Sequence, residues 1–224
     1  MSRPRAVLLD ALGTLLTFAP PAPLLAERLG VAPQDAERAI RAEIAYYRAH
    51  LHEGSDAAGL AALRLRCAQL VRDELRLDAP AETVLPALLD AIRFEPYPDA
   101  IPALRELRAA GLRLVVASNW DVSLHEALAR TGLVALLDGA VASAEVGSAK
   151  PDGAIFARAL ALAGVEPAAA WHVGDLPEAD VEGARRARIT PVLIVREPGP
   201  PAPSGVEVIA SLAELPGLLR AAAP

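Results

Sequence analysis

The sequence predicts an α/β protein: a doubly wound, Rossmann-like parallel sheet forms the core, and an all-helical cap domain is inserted after the first strand. Two observations predict the sheet. Apolar segments of strand length alternate with helical patterns through residues 97–224, as is typical of a parallel sheet with helices on both faces. An isolated strand-like segment near the start must join that sheet, because one strand cannot fold alone.

The first strand is predicted at residues 6–9, where four apolar residues run into Asp10. Such a run is typical of a strand that is buried on both faces. Gly13 and Thr14 then turn the chain, which leaves Asp10 at the carboxyl end of the strand. In an open parallel sheet this is the edge where ligands bind. An Asp after a strand also caps helices, so Asp10 alone is a weak indication.

The helical insertion is predicted at residues 17–96, which leaves residues 1–16 and 97–224 as the core. Apolar residues recur there at helical spacing, and no strand-like run interrupts them, so we expect about four helices. The segment ends at Glu95-Pro96-Tyr97-Pro98, where two prolines exclude a helix and favour an extended linker.

Alternating elements follow the linker. Helices are predicted at about residues 99–110, 122–131, 153–163 and 178–188, with a last helix at the end of the chain. Strands are predicted at about residues 112–117, 140–142, 170–173, 191–195 and 206–209.

Composition excludes several classes of protein. The chain has 224 residues, of which 53% are hydrophobic, and a formal net charge of −6 without a basic stripe, so no nucleic-acid partner is expected. No apolar run reaches the ~18 residues of a membrane span, and no signal peptide is expected before the first strand. The single cysteine, Cys67, fits a reducing cytoplasm. A monomer and a homodimer both remain open.

Polar residues follow three further predicted strands. Ser118 and Asn119 follow the second strand, Lys150 follows the third, and Asp175 follows the fourth, with Asp180 shortly after it. Hydroxyl and backbone N–H groups at such an edge suit a phosphate. Lys150 would neutralise this anion. It is the only lysine in a chain that otherwise uses arginine, which indicates a need for a compact charge.

The carboxylates of this set predict a metal site. Asp10 and Asp175, with Asp180 behind them, offer the hard oxygen ligands that Mg²⁺ prefers. Without a cation, clustered carboxylates would repel one another and stay partly protonated.

Polar residues follow four predicted strands in the order Asp10, Ser118 with Asn119, Lys150, and Asp175, and a helical insertion comes after the first strand. This arrangement resembles the haloacid dehalogenase-like hydrolase superfamily, in the group whose cap domain is inserted after the first strand. The resemblance covers essentially the whole chain, although the cap matches only in kind. It rests on Asp10-Ala11-Leu12-Gly13-Thr14-Leu15, on Lys150-Pro151-Asp152 followed by Ile155-Phe156, and on Gly174-Asp175 with Asp180.

The resemblance implies a function and roles for the site residues. Asp10 would be the nucleophile that forms an aspartyl intermediate, and Ser118 and Asn119 would hold the transferring group, whose charge Lys150 offsets. The implied Mg²⁺ ligands are Asp10, Asp175 and the backbone carbonyl of Leu12, with Asp180 in support. The expected activity is a Mg²⁺-dependent phosphatase acting on a small phosphorylated metabolite.

Leu12 departs from the family pattern. Phosphatases of the family carry a second Asp at this position as general acid and base, a role worth ~10²–10⁴ in rate. The metal-independent 2-haloacid dehalogenases also lack it, and they remain an alternative for which Arg41 or Arg48 could bind the substrate carboxylate. Asp175 argues against this alternative, because dehalogenases generally have uncharged residues there. A binding protein of the same fold with little or no activity is the third possibility.

Two other residues allow a functional or a structural interpretation. Trp120 either faces the substrate or packs under the cap. His172 lies within an apolar strand and is interpreted as a core histidine rather than a catalyst.

Overall fold

The computed structural model describes residues 3–197 and 201–222. Its strands are β1 (Ala6–Leu9), β2 (Leu16–Phe18), β3 (Phe94–Pro96), β4 (Arg113–Ser118), β5 (Gly139–Ala142), β6 (Ala170–Gly174), β7 (Thr190–Ile194) and β8 (Glu207–Ile209). Six of them form one parallel sheet in the order β5-β4-β1-β6-β7-β8. Strand β1 lies between β4 and β6 and all four of its residues are buried, which explains its uninterrupted apolar sequence.

The helices are α1 (Pro21–Leu29), α2 (Pro33–His50), α3 (Ala57–Glu74), α4 (Ala81–Ala91), α5 (Ala100–Ala109), α6 (Leu124–Arg130), α7 (Ser143–Val146), α8 (Gly153–Ala163), α9 (Gly183–Arg186) and α10 (Leu215–Ala221). Successive residues of β1 pack on opposite faces of the sheet. Val7 and Leu9 join a core with residues of α5, α6 and α10, whereas Ala6 and Leu8 join one with residues of α8. The predicted doubly wound sheet is confirmed.

Helices α1–α4 pack around a separate hydrophobic cluster, which includes Leu25, Ile40, Leu63, Val71 and Leu88. These four helices follow one another between β2 and β3, in the region where the sequence predicts about four helices. The division of the chain into a core and a cap at residues 17 and 96 stays a prediction.

A two-stranded antiparallel ribbon at both ends of the helical region was missed. Strand β2 pairs with β3, and the rings of Phe18 and Phe94 stack at 5.3 Å between centroids. The extended conformation expected near Glu95 is present, but three-residue strands are too short to produce a recognisable periodicity. The expectation that no strand occurs in the inserted region was therefore wrong at β2 and β3, whereas the extended end near Glu95 was expected.

The segment after β6 also differs from the continuous helix expected at residues 178–188. A π-helical turn at Pro177–Glu182 precedes the short helix α9. The backbone N–H groups of Asp180 and Val181 both donate to the carbonyl of Leu176, which widens the turn. Such π-turns occur frequently at functional sites, and this one carries Asp180 at the edge of the sheet. In the described part of the chain, no helix combines the length and the apolar character needed to cross a membrane.

Candidate active site

The carboxyl ends of three adjacent central strands bring most of the predicted residues together. Asp10 directly follows β1, and its backbone N–H donates to the carbonyl of Val173 at 2.9 Å. Ser118 is the last residue of β4, and Asp175 directly follows β6. Because β1 pairs in parallel with both neighbours, these three side chains meet at one edge of the sheet.

Lys150 and Ser118 both donate to the same oxygen of Asp10. The Lys150 Nζ atom lies 2.5 Å from Oδ1 of Asp10, and the Ser118 hydroxyl lies 2.9 Å from it. Lys150 is only 5% exposed and Asp10 only 6%. Burial alone would lower the pKa of Lys150, but the charges of Asp10 and Asp180 raise it above its ordinary value. Lys150 therefore keeps its positive charge in the buried site.

Asn119 holds the backbone of Lys150 on both sides. Its Nδ2 donates to the Lys150 carbonyl at 3.0 Å, and its Oδ1 accepts from the Lys150 N–H at 2.7 Å. The amide thus positions the loop that carries the lysine. Its predicted role in holding the transferring group stays a prediction.

Asp180 connects Lys150 to His172. Oδ1 of Asp180 accepts from Lys150 Nζ at 2.6 Å and lies 2.8 Å from Nε2 of His172, and Oδ2 accepts from the Leu176 N–H. Burial would raise the pKa of Asp180, but Lys150 and His172 lower it below its ordinary value. Gly174 permits this arrangement, since a Cβ atom there would lie 2.1 Å from the Asp180 carboxyl carbon.

The contribution of His172 to the site was not predicted from the sequence. It is fully buried, as expected for a core histidine, and its ring lies edge-on to Phe156. Its contact with Asp180 was not foreseen. The position of His172 was the one available signal. His172 lies two residues before Gly174 on the same strand, so it shares a face of the sheet with the space beside Gly174, and Asp180 occupies that space.

The three aspartates form the candidate metal centre. Carboxylate oxygens of Asp10, Asp175 and Asp180 lie within 4.8 Å of one another. Oδ1 of Asp175 is buried and has no hydrogen-bond partner among the described residues. Burial, together with the charges of Asp10 and Asp180, raises the pKa of Asp175 to about 7, and burial also raises that of Asp10. An oxygen-only donor set with an unused carboxylate oxygen fits a hard divalent cation.

Leu12 and Gly13 form the turn beside this centre. Gly13 has a φ of +86°, and a Cβ atom there would lie 2.3 Å from Oδ2 of Asp175. Leu12 is half-buried and pairs with Leu16 through an isolated β-bridge. Glycine is therefore required next to Asp175 both for the backbone conformation and for space.

A cavity of about 410 Å³ lies beside this edge, between helices α2–α4 and the segment that follows β4. Leu12 and Asn119 line it together with Trp120. Trp120 is 95% buried and packs edge-on to Phe94, so it both packs and faces the cavity. Of the two arginines that could serve a dehalogenase, Arg48 lines the cavity, whereas the side chain of Arg41 is 72% exposed.

Comparison with known proteins gives consistent relatives. The family model for haloacid dehalogenase-like hydrolases matches residues 4–188. A glyceraldehyde 3-phosphate phosphatase from Methanopyrus kandleri is 41% identical over 103 residues, which are 46% of this chain and 44% of that protein. The match thus spans less than half of this relative.

Solved structures of similar fold include a HAD phosphatase from Thermococcus onnurineus, which is 27% identical with a TM-score of 0.67 and 98% coverage of both chains. Another is described as a dehalogenase; it is 26% identical with a TM-score of 0.71, covering 97% of this chain and 98% of the other. The family model covers most of the chain, including the strand ends that carry Asp10, Ser118, Lys150, Asp175 and Asp180. The chain therefore belongs to the haloacid dehalogenase-like hydrolase family.

Proposed function

We propose that the protein is a Mg²⁺-dependent phosphatase that acts on a small phosphorylated compound. The observation that carries this proposal is the Asp10, Asp175 and Asp180 cluster, with its unpartnered Asp175 oxygen, beside the buried ammonium group of Lys150. Carboxylates that hold a divalent cation next to a lysine favour a phosphate as the reacting group. The phosphatase named among the sequence relatives supports the same reaction.

Asp10 is the nucleophile in this proposal. One of its carboxylate oxygens attacks phosphorus, the bond from phosphorus to the leaving oxygen breaks, and water then hydrolyses the aspartyl phosphate. Lys150 offsets the negative charge of the phosphoryl group, and Ser118 and Asn119 hold that group in place. Ser118 and Lys150 already converge on Asp10, so they are positioned to act on a group bound there.

The proposed Mg²⁺ ligands are Asp10, Asp175 and the backbone carbonyl of Leu12. Bound Mg²⁺ would supply charge neutralisation to the phosphate oxygens. Asp180 supports the site, because both of its oxygens are engaged by Lys150, His172 and the backbone. Its contribution is to keep Lys150 in place rather than to offer a free ligand.

Leu12 restricts the class of phosphate. A leucine has no proton to give to a departing oxygen, so the enzyme favours aryl or acyl phosphates, whose leaving groups are stable as anions.

Helices α1–α4 act as the cap, with residues 17–96 inserted into a core made of residues 1–16 and 97–224. We further propose a cytoplasmic enzyme with a small-molecule substrate.

The alternative is a 2-haloacid dehalogenase. It is favoured by Leu12 and by Arg48, which lines the cavity where a carboxylate substrate would enter. The unpartnered oxygen of Asp175 favours the phosphatase instead, since a metal-independent reaction has no use for it.

The test is hydrolysis of p-nitrophenyl phosphate with Mg²⁺ and with chelator, by the wild type and by Asp10→Asn. The leaving group needs no proton, so Leu12 is not a handicap. We expect turnover that requires Mg²⁺ and is lost in the folded variant. Activity near wild type in Asp10→Asn would reject the nucleophile. Chloride release from 2-chloropropionate without any phosphatase activity would establish the dehalogenase alternative, and the absence of both activities would favour a binding protein.

A further inference from the structure

Two buried carboxyl groups face the cavity without a cationic partner. Glu43 lies on α2 and Asp121 lies two residues after Asn119; they are 4% and 1% exposed. Among the described residues, neither forms an ion pair. Glu43 accepts no hydrogen bond from an N–H or O–H group of that part of the chain, and the Cys67 thiol beside it lowers its pKa only in part. Arg48, Arg64, Arg93 and Arg130 also line this cavity, but the ion pairs of the described residues join Arg64 and Arg130 to Glu126 and Arg93 to Asp90. Buried carboxyl groups are ordinarily paired, so Glu43 and Asp121 in this wall of the cavity lack a cation of their own.

Burial raises the pKa values of the titratable side chains around Glu43, and neighbouring carboxylates add to this effect. Burial raises the pKa of Glu43 itself. It also raises the pKa of the Cys67 thiol, and the charges of Glu43 and Asp121 raise it further. The pKa of Tyr47 is raised by the same causes, burial first and then Asp121 and Glu43. Glu43, Tyr47, Cys67 and Asp121 therefore lie close enough together to influence one another's charge.

The chemistry of the wall points to an organic cation rather than a metal ion. In the described residues, the Asp10 cluster is the group of three donor side chains close enough to hold an ion, and Glu43, Cys67 and Asp121 do not form another. The aromatic side chains of Tyr47 and Trp120 line the same cavity. Carboxylates combined with aromatic rings are typical of sites that bind ammonium groups.

We propose that this cavity binds a phosphate ester whose leaving group carries an ammonium ion, and that Glu43, assisted by Asp121, determines this specificity. The proposal rests on the phosphatase function proposed above. Leu12 and Asn119 line the end of the cavity at the candidate active site, and Glu43 lines the part formed by α2. One small molecule in a cavity of about 410 Å³ would place its phosphate near Asp10 and its ammonium group near Glu43.

The experiment compares two phosphates with similar leaving groups, 4-(aminomethyl)phenyl phosphate and its neutral counterpart 4-(hydroxymethyl)phenyl phosphate. Their affinities for Asp10→Asn protein are measured by calorimetry with Mg²⁺, so that binding is separated from turnover. The same titrations are made with Glu43→Gln added and, as a matched control on the same helix, with Glu37→Gln, whose side chain is 59% exposed.

We expect the ammonium compound to bind at least about tenfold more tightly than the neutral one. Glu43→Gln should abolish this preference and Glu37→Gln should retain it. If Glu43→Gln does not fold, Asp121→Asn takes its place in the test. This variant keeps an acceptor for the Ser123 N–H and should weaken the preference for the ammonium compound. Equal binding of the two compounds, binding of neither, or an equal effect of Glu43→Gln on both would overturn the inference. Hydrolysis of p-nitrophenyl phosphate by the wild type tests the phosphatase function separately.

Discussion

Lys150 and Asp10 are 140 residues apart in the sequence, yet Nζ of Lys150 lies 2.5 Å from Oδ1 of Asp10 in a buried ion pair. The same ammonium group donates to Asp180. One lysine thus neutralises part of a cluster that contains three carboxyl groups. Because all these charges are removed from water, the pair is sensitive to loss of either partner.

Lys150→Met should destabilise the protein by about 3–5 kcal/mol, since it leaves two buried carboxylates without their cation. It should also remove hydrolysis of p-nitrophenyl phosphate. Urea denaturation at neutral pH measures the first effect. Lys150→Arg is the control that keeps the charge; its larger planar group does not fit a 95% buried lysine site, so activity should stay low. Wild-type stability in Lys150→Met would contradict this account of the cluster.

Leu12→Asp should restore a general acid. A positioned acid is worth ~10²–10⁴ in rate when the leaving group needs a proton. We therefore expect kcat/KM to rise more for propyl phosphate than for p-nitrophenyl phosphate. Leu12→Asn matches the size of the new side chain without its proton and should give no such gain. An equal change for both substrates in Leu12→Asp would count against the leaving-group argument.

Gly13→Ala should damage the metal centre, because the new methyl group would lie 2.3 Å from the Asp175 carboxylate at a φ of +86°. Gly111 provides a matched control: its φ is +81°, and a Cβ atom added there would have no neighbour within 4 Å. Gly111→Ala should cost about 1–2 kcal/mol from the left-handed conformation alone. Gly13→Ala should cost more and should lose Mg²⁺-dependent turnover. Denaturation and activity assays on both variants measure the difference, and equal losses would show that contact with Asp175 is unimportant.

The contacts of the Asp99 carboxylate should make the free energy of unfolding depend on pH. Its carboxylate forms two contacts with the Arg196 guanidinium at 3.0 and 3.1 Å and accepts from Ser211 and from the Leu212 N–H. Burial would raise the pKa of Asp99, but these hydrogen bonds lower it below 3.8 overall. A lowered folded-state pKa stabilises the protein above the unfolded-state value, and this stabilisation is lost as the pH falls through the folded-state value.

Asp99→Asn should therefore lower the free energy of unfolding by about 1–2 kcal/mol at pH 7, discounted for partial exposure. The difference from wild type should shrink below about pH 4. Denaturant titrations at pH 7 and pH 3 check this expectation. A difference that stays constant between these two pH values would mean that the charge of Asp99 contributes nothing.

Arg196 shows how part of the site's support escaped sequence reasoning. Its guanidinium donates to the backbone carbonyls of Gly13 and Thr14 and stacks over Tyr97 at 3.6 Å. Nothing distinguishes this arginine from the 20 others in the sequence. Its role depends on β7 ending close to the turn after β1, which is a matter of strand order rather than of local pattern.

The sequence by itself determined the α/β class, the approximate helices and strands of the sheet, and the identities of the residues at its carboxyl edge. Burial on both faces makes a parallel strand uniformly apolar, so Ala6–Leu9 and the polar residue that ends it are recognisable locally. The ribbon of β2 and β3 was not recognisable, because its pairing joins residues about 78 positions apart.

Only the tertiary structure decided which side chains contact one another, which stay without a partner, and which line the same cavity. It brought His172 to Asp180, left Asp175 with an unused oxygen, and placed Glu43 and Asp121 on the lining of one cavity. Hydrogen bonds and charge interactions act over a few ångströms, whereas the residues that interact here belong to separate parts of the sequence. Distance in space, which a linear pattern does not encode, therefore decides the electrostatics of this site.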